Sequence, residues 1–269
     1  MHDEEVDRTT NGSGFLKSMS FQEISQLDAG SWFQGTDETS YPSQKVPSLD
    51  QFLSKYRSKS HVFIEIKSLE EDLVTKLKDL LNLYDLIPRF STGKLDVPGA
   101  SIISFNRTQV SLAARAMPTI GHGLLVVEPS KDDIDFCVDN QIKGLFPNIN
   151  FLSSELMDLA KTNSLHIGVW GANSVDDLDL LSDYDVLGVT VDWPLQAKKY
   201  FEKALEYNPK NYVLNNYNVI LQKSITKYPY TPTEKPEILD TIANTGKLEE
   251  DSEKSLTEVI TELKKNFNS

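Results

Sequence analysis

The feature that most constrains this chain is a repeated alternation, from residue 61 to residue 191, of short apolar runs with longer amphipathic segments. Apolar runs bounded by turn residues read as buried strands; segments with apolar residues three and four apart read as helices. The pattern predicts strands over 61–67, 100–105, 123–128, 143–146, 166–170 and 186–191. Helices are predicted over 68–84, 110–117, 133–140, 153–162 and 175–181, the first with Leu69, Leu73, Leu77, Leu80 and Leu81 on one side. Near-continuous apolar strands separated by helices imply a parallel sheet covered by helices. The expected fold class is therefore α/β, of the (β/α)8 TIM-barrel type, and six such units fall two short of a closed barrel.

The flanks follow different rules. Residues 20–24 look like a helix start, and Ser48 is placed to cap a helix over 49–56. Between them, Gly30, Ser31, Gly35, Pro42 and Pro47 punctuate a loop. A helix over 195–207 is expected to close the domain. Residues 208–236, rich in Asn, Tyr, Pro and Thr, read as irregular. Leu256, Val259, Ile260, Leu263 and Phe267 then recur at helical intervals and predict an amphipathic end helix over 249–267. The expected division is a barrel-like domain over 1–200, with a loop insertion over 4–47, and a C-terminal extension over 201–269.

A formal charge of −13 and a pI near 4.8 argue against nucleic acid and against anionic membranes as partners. They do not oppose a small anionic substrate if a cation or basic groups stand in the site. No apolar run is long enough to span a bilayer, and the N-terminus lacks a signal-peptide pattern. The lone cysteine, Cys137, excludes an internal disulfide; its neighbours Ile134, Phe136 and Val138 predict a buried, inert thiol on a helix.

In parallel barrels the chemistry sits at the C-terminal ends of the strands. Glu65 and Lys67 alternate with Ile64 and Ile66, so both project from one face of an apolar strand. Burying two charges is costly unless they pair or bind an ion or substrate. Two readings follow: a mutual salt bridge on an edge strand, or a divalent cation on Glu65 with a phosphate on Lys67. The second is favoured, because hard cations take oxygen ligands. A Schiff base on Lys67 would need an unpaired lysine, and Glu65 stands beside it. Ser104-Phe105-Asn106, Trp170-Gly171-Ala172-Asn173 and the segment from Gly188 to Pro194 close other strands.

The chain opens MHDEEVDRTTNGSG. Histidine titrates closest to neutrality, and the carboxylate of Asp3 can orient His2. Asn11-Gly12 and Gly14 tolerate positive φ, and Thr9 and Thr10 can bond nearby backbone, so an ordered loop is expected.

Taken in order, these segments resemble the glycerophosphodiester phosphodiesterase family. His2-Asp3, Asp7 to Gly12 and Gly14 match its signature, and Glu65-Ile66-Lys67, Ser104-Phe105, Val169-Trp170 with Asn173, and Gly188 to Pro194 match its later strands. Leu27 to Gly30, Trp32-Phe33 and Val46 to Leu49 match its small insertion. The resemblance covers roughly residues 1 to 200. It implies a (β/α)8 barrel that hydrolyses a small-molecule glycerophosphodiester to glycerol 3-phosphate and an alcohol, with Ca2+ or Mg2+. It makes His2 one of two catalytic histidines, Glu65 a metal ligand, Lys67 a phosphate contact, and Trp170 a wall on the glycerol side.

The departures shape the expectation further. In the family a His-Arg strand and a Glu-x-Asp strand come before the His-Asp element, carrying the other catalytic histidine and two metal ligands. The expectation is thus a truncated member without the first two βα units and with impaired activity. The alternative is an inactive remnant serving as a binding or interaction module. His61, His122 and His166 have no matching context, Gly171-Ala172 replaces Thr-Val, and Val191 replaces the Thr before Asp192.

Overall fold

Six strands pair in the order in which they occur, each parallel to the next: β1 (His61–Glu65), β2 (Gly99–Ser104), β3 (Gly121–Leu125), β4 (Gly144–Phe146), β5 (His166–Val169) and β6 (Gly188–Val189). They come from a computed structural model that describes residues 2–33, 41–70, 72–91 and 95–207. An order that never reverses is that of a singly wound, barrel-like sheet, whereas a doubly wound sheet reverses at a switch point. The crossovers carry α3 (Leu73–Leu83), α4 (Arg107–Ala116), α5 (Lys131–Asp139), α6 (Ser154–Thr162) and α7 (Val175–Asp179). Two short helices, α1 (Phe21–Gln26) and α2 (Leu49–Tyr56), precede the sheet, and α8 (Pro194–Tyr207) follows it. The segments over 208–236 and 249–267 lie outside the described residues.

The strand alternation decides the two faces. Val62, Ile66, Ala100 and Ile102 pack in one cluster with Val74, Leu77, Leu81, Ala113 and Met117 from the helices. Each fully buried aliphatic side chain of this kind contributes roughly 1.5–3 kcal/mol. On the other face, Phe63 pairs with Ser101 and Glu65 with Ile103. There the ring of Phe146 covers Gly123, Gly144 and Gly168, where a Cβ would come within 2.2, 2.6 and 2.3 Å of it. The Phe63 ring meets Phe146 edge-on, with centroids 6.1 Å apart.

Helix starts are set by side-chain caps. Ser20 with Glu23, Ser48 with Gln51, Ser130 with Asp133 and Ser174 with Asp177 form reciprocal capping boxes. Asn106, expected at the end of the second strand, caps α4 by accepting a hydrogen bond from the Gln109 N–H at 2.9 Å. The helix predicted from residue 68 begins at Leu73, because the Ser68 hydroxyl accepts from the Glu70 N–H at 3.1 Å in a local turn. Leu69 therefore lies before the helix, 70% exposed, not on its apolar side. The last strand is shorter than 186–191, although the Leu187 and Thr190 N–H groups still bond to Ile167 and Val169. Cys137 is buried on α5, and desolvation pushes its thiol up to about 12, as expected for an inert cysteine.

The opening residues form a tied loop. The Val6 N–H donates to Gly14 at 3.0 Å and the Leu16 N–H to Glu4 at 2.8 Å. Inside it, the Thr10 hydroxyl donates to the Val6 carbonyl and accepts from the Gly12 N–H. Asn11 and Asp28 exchange two hydrogen bonds that join this loop to the insertion. The Asp28 carboxylate accepts from the Ser31 hydroxyl and from the Gly30, Ser31 and Ser43 N–H groups, which hold it well below the usual carboxylate range.

Candidate active site

Since every strand runs the same way, the residues following each strand gather at one end of the sheet. Glu65 ends β1, Phe105 follows β2, Trp170 follows β5, and Thr190 and Asp192 follow β6. Glu65 Oε1 lies 3.0 Å from Lys67 Nζ, with both side chains only partly exposed. The two charges are thus paired with each other, which is the first of the two sequence readings and leaves no unpaired amine for a Schiff base.

Trp170 is held by its polar edge. Its indole N–H donates to the Val126 and Phe146 carbonyls, each at 3.1 Å, and its ring meets Phe105 edge-on with centroids 5.5 Å apart. The next residue, Gly171, has φ +85°, and a Cβ there would lie 2.4 Å from Asn148 Nδ2. That explains glycine where the resemblance leads one to expect threonine: both the backbone and the space reject a side chain. The Asn173 amide donates to the Gly171 carbonyl, so it fixes the turn that follows Trp170.

His2 is held from one side. Asp3 Oδ1 lies 2.7 Å from its Nδ1, and Asp3 also receives Arg8, through Nε at 2.5 Å and Nη2 at 2.8 Å. The Arg8 guanidinium and the His2 imidazole keep the Asp3 carboxyl well below the usual carboxylate range. Arg8 also stands 5.9 Å from the centroid of the Trp32 ring and feels the negative charge of Asp192. The contacts of His2 run to Asp3 and through it to Arg8, whereas Glu65 and Lys67 contact each other. Sequence reasoning placed Arg8 in the stretch that matches the family signature but gave it no role.

The other three histidines lie at the opposite end. His61 and His166 open β1 and β5, and His122 is the second residue of β3. All three line a cavity of about 640 Å³ at the N-terminal ends of the strands, together with Phe63, Ser101 and Phe146. His61 is consumed by structure, with Nδ1 2.8 Å from the Asp96 carbonyl and Nε2 2.8 Å from the Ser101 hydroxyl.

Glu65 is the carboxylate expected to meet a divalent cation. Calcium takes about six to eight oxygen ligands, and magnesium one or two carboxylates with phosphate and water. Among the described residues no group of three or more His, Cys, Asp and Glu comes together. Glu65 is moreover already paired with a lysine. The described residues do not by themselves make a cation site.

Residues 1–196 match the model of the Glycerophosphoryl diester phosphodiesterase family. The chain belongs to this family. It is 29% identical over 209 residues to the glycerophosphodiester phosphodiesterase of Bacillus subtilis (strain 168), covering 72% of this chain and 68% of that protein. It is 27% identical over 202 residues to the enzyme of the same name from Caldanaerobacter subterraneus subsp. tengcongensis, covering 72% and 76%. Among solved structures, an Oleispira antarctica phosphodiesterase in complex with the product sn-glycerol-3-phosphate superposes with a TM-score of 0.61 at 22% identity, over 75% of this chain and 78% of that one. The glycerophosphodiester phosphodiesterase of Agrobacterium tumefaciens str. C58 gives 0.56 at 22% identity, over 71% and 76%. These likenesses and the singly wound parallel sheet establish an α/β barrel-like fold for this glycerophosphoryl diester phosphodiesterase family member.

Proposed function

We propose that the chain acts on glycerophosphodiesters, which the family cleaves to glycerol 3-phosphate and an alcohol. The observation that carries this reading is the Glu65–Lys67 pair at the C-terminal end of β1, within a family match over residues 1–196. Lys67 is the phosphate contact: a phosphate oxygen can take the place of the carboxylate at Nζ without leaving the ammonium unpaired. Trp170 is the wall against the glycerol carbons. Its N–H is spent on two carbonyls, so the ring offers an apolar surface. His2 moves the proton: with Nδ1 on Asp3, Nε2 accepts from the attacking oxygen or donates to the leaving one. Glu65 is the carboxylate that the resemblance assigns to Ca2+ or Mg2+; paired with Lys67, it would be one ligand of such an ion, whose charge would neutralise the phosphate.

Turnover that rests on the described residues alone is slow. Among the described residues, His2 is the histidine placed with the loop that matches the family signature, and the other three serve the far end of the strands. One acid–base group fewer costs about 10²–10⁴-fold in rate. The absence of a three-ligand cluster among the described residues favours a second reading, a barrel that binds glycerol phosphates without cleaving them.

Release of glycerol 3-phosphate from glycerophosphocholine with Ca2+ or Mg2+, measured beside calorimetric binding of glycerol 3-phosphate, tests both. The expected result is binding that weakens in Lys67→Ala, with little release. Robust metal-dependent release overturns the slow-turnover reading, and absence of both binding and release overturns the function.

A further inference from the structure

We infer that Arg8 is a positioning residue for His2, acting through Asp3 to hold the imidazole as its Nδ1–H tautomer and leave Nε2 as the base. The inference deepens the proposed function, since the tautomer matters to catalysis only if His2 moves a proton.

Three observations meet here. Asp3 Oδ1 is shared, taking Arg8 Nη2 at 2.8 Å and His2 Nδ1 at 2.7 Å, while Oδ2 takes Arg8 Nε. A carboxylate gripped by two parallel N–H groups has its plane fixed, and that plane sets where its remaining lone pair on Oδ1 points. A carboxylate can only accept, so the nitrogen facing it must carry the proton and the far nitrogen must carry the lone pair. In this way the fork on Asp3 decides the chemistry of an atom it does not touch.

Arg8 also had alternatives. Glu4, Glu5 and Asp7 line the same hollow as Asp3 and Arg8, a space of about 270 Å³. The guanidinium nevertheless forks onto the carboxylate next to the histidine. The loop around it is tied independently, by Val6 to Gly14, Leu16 to Glu4 and Thr10 to Val6. Arg8 is therefore not needed to close the loop. Its side chain is 56% exposed, and exposed ion pairs of this sort add little to stability. What the fork does supply is orientation. The guanidinium carbon stands 5.9 Å from the centroid of the Trp32 ring and feels the negative charge of Asp192, so the insertion and the segment after β6 both favour its placement.

The test reads the imidazole directly and does not need turnover. The full chain, labelled with 15N-histidine, is compared with Arg8→Ala, Arg8→Lys and Asp3→Ala by ring-nitrogen chemical shifts above the imidazole titration. His2 in the unaltered chain is expected as Nδ1–H, and Asp3→Ala as mainly the Nε2–H form that free histidine prefers. Arg8→Ala is expected to lower the Nδ1–H to Nε2–H ratio by about threefold, the scale of a lost exposed pair, with thermal melting little changed. Arg8→Lys, which keeps the charge without the fork, should fall between. An Nε2–H histidine in the unaltered chain, or an unchanged ratio in both Arg8 variants, overturns the inference. Should Arg8→Ala disturb the loop, Arg8→Lys alone decides the matter. A failure of the phosphodiesterase reading leaves these shifts unaffected, so the two can fail separately.

Discussion

The ring of Phe146 lies over Gly168, so close that a single carbon added to the glycine would sit 2.3 Å from the ring. Gly123 and Gly144 stand under the same ring. One aromatic on β4 thus fills the volume that three neighbouring positions of the sheet give up.

Alanine at Gly168 or Gly123 must displace that ring, and overpacking of this kind costs roughly 1–3 kcal/mol. Gly188, with nothing within 4 Å of its would-be Cβ, is the control, and alanine there should be neutral to within about 0.5 kcal/mol. Urea unfolding midpoints compare them. Equal losses at Gly168 and Gly188 would show that the ring is not the constraint.

Gly171→Thr restores the residue that the family pattern calls for and should still destabilise the chain. The positive φ alone costs roughly 1–2 kcal/mol, and Asn148 must also move. Denaturant unfolding measures the loss; a gain in stability would mean that the turn after Trp170 can rebuild itself.

Acid should weaken the fold through His122. Desolvation on β3 pulls this imidazole down from 6.5 to about 4, against a hydrogen bond to the Ala113 carbonyl that pulls it up, and its Nε2 has no partner. The unfolded chain binds the proton first on acidification, so stability is full above about pH 6.5 and falls as pH drops toward 4. The loss from this group is on the order of 3 kcal/mol. Burial lowers His61 as well, in the same sense. Unfolding free energies measured from pH 7 to 4.5 should slope downward, and His122→Leu should flatten most of the slope. An unchanged slope in that variant removes His122 as the cause.

Lys67→Ala should leave folding almost untouched, within about 1 kcal/mol, because the Glu65–Lys67 pair is partly exposed. It should still cost most of the affinity for glycerol 3-phosphate. Calorimetry and thermal melting separate the two effects, and a large drop in melting temperature would recast the pair as structural.

Which of these features the amino-acid order reveals depends on the range of the contact. The strand at residue 61 was legible because Val62, Ile64 and Ile66 alternate with polar or larger neighbours, and Glu65 and Lys67 could be placed together from their spacing alone. The start of α3 was not, because one hydroxyl, that of Ser68, competes locally with helix formation and leaves Leu69 outside. Asn106 was placed at the end of a strand, and its capping of α4 was not foreseen because the helix was expected to begin only at residue 110. Phe146 over its glycines joins residues up to 23 positions apart, and nothing in local pattern announces such a contact. The role of His2 rests on the family resemblance, and Arg8 stands in the matching stretch, but its fork on Asp3 shows only once the loop folds back.

The parallel sheet has a practical corollary. His61 and Lys67 bracket one strand, and at about 3.3 Å per residue they stand roughly 20 Å apart. One tethers a strand to its neighbour and the other meets the proposed substrate, with no shared partner. Substitutions at the two should therefore combine additively. An engineer could harden the histidine end for heat or acid while re-tuning the lysine end for a different ligand, treating them as two independent dials on one scaffold.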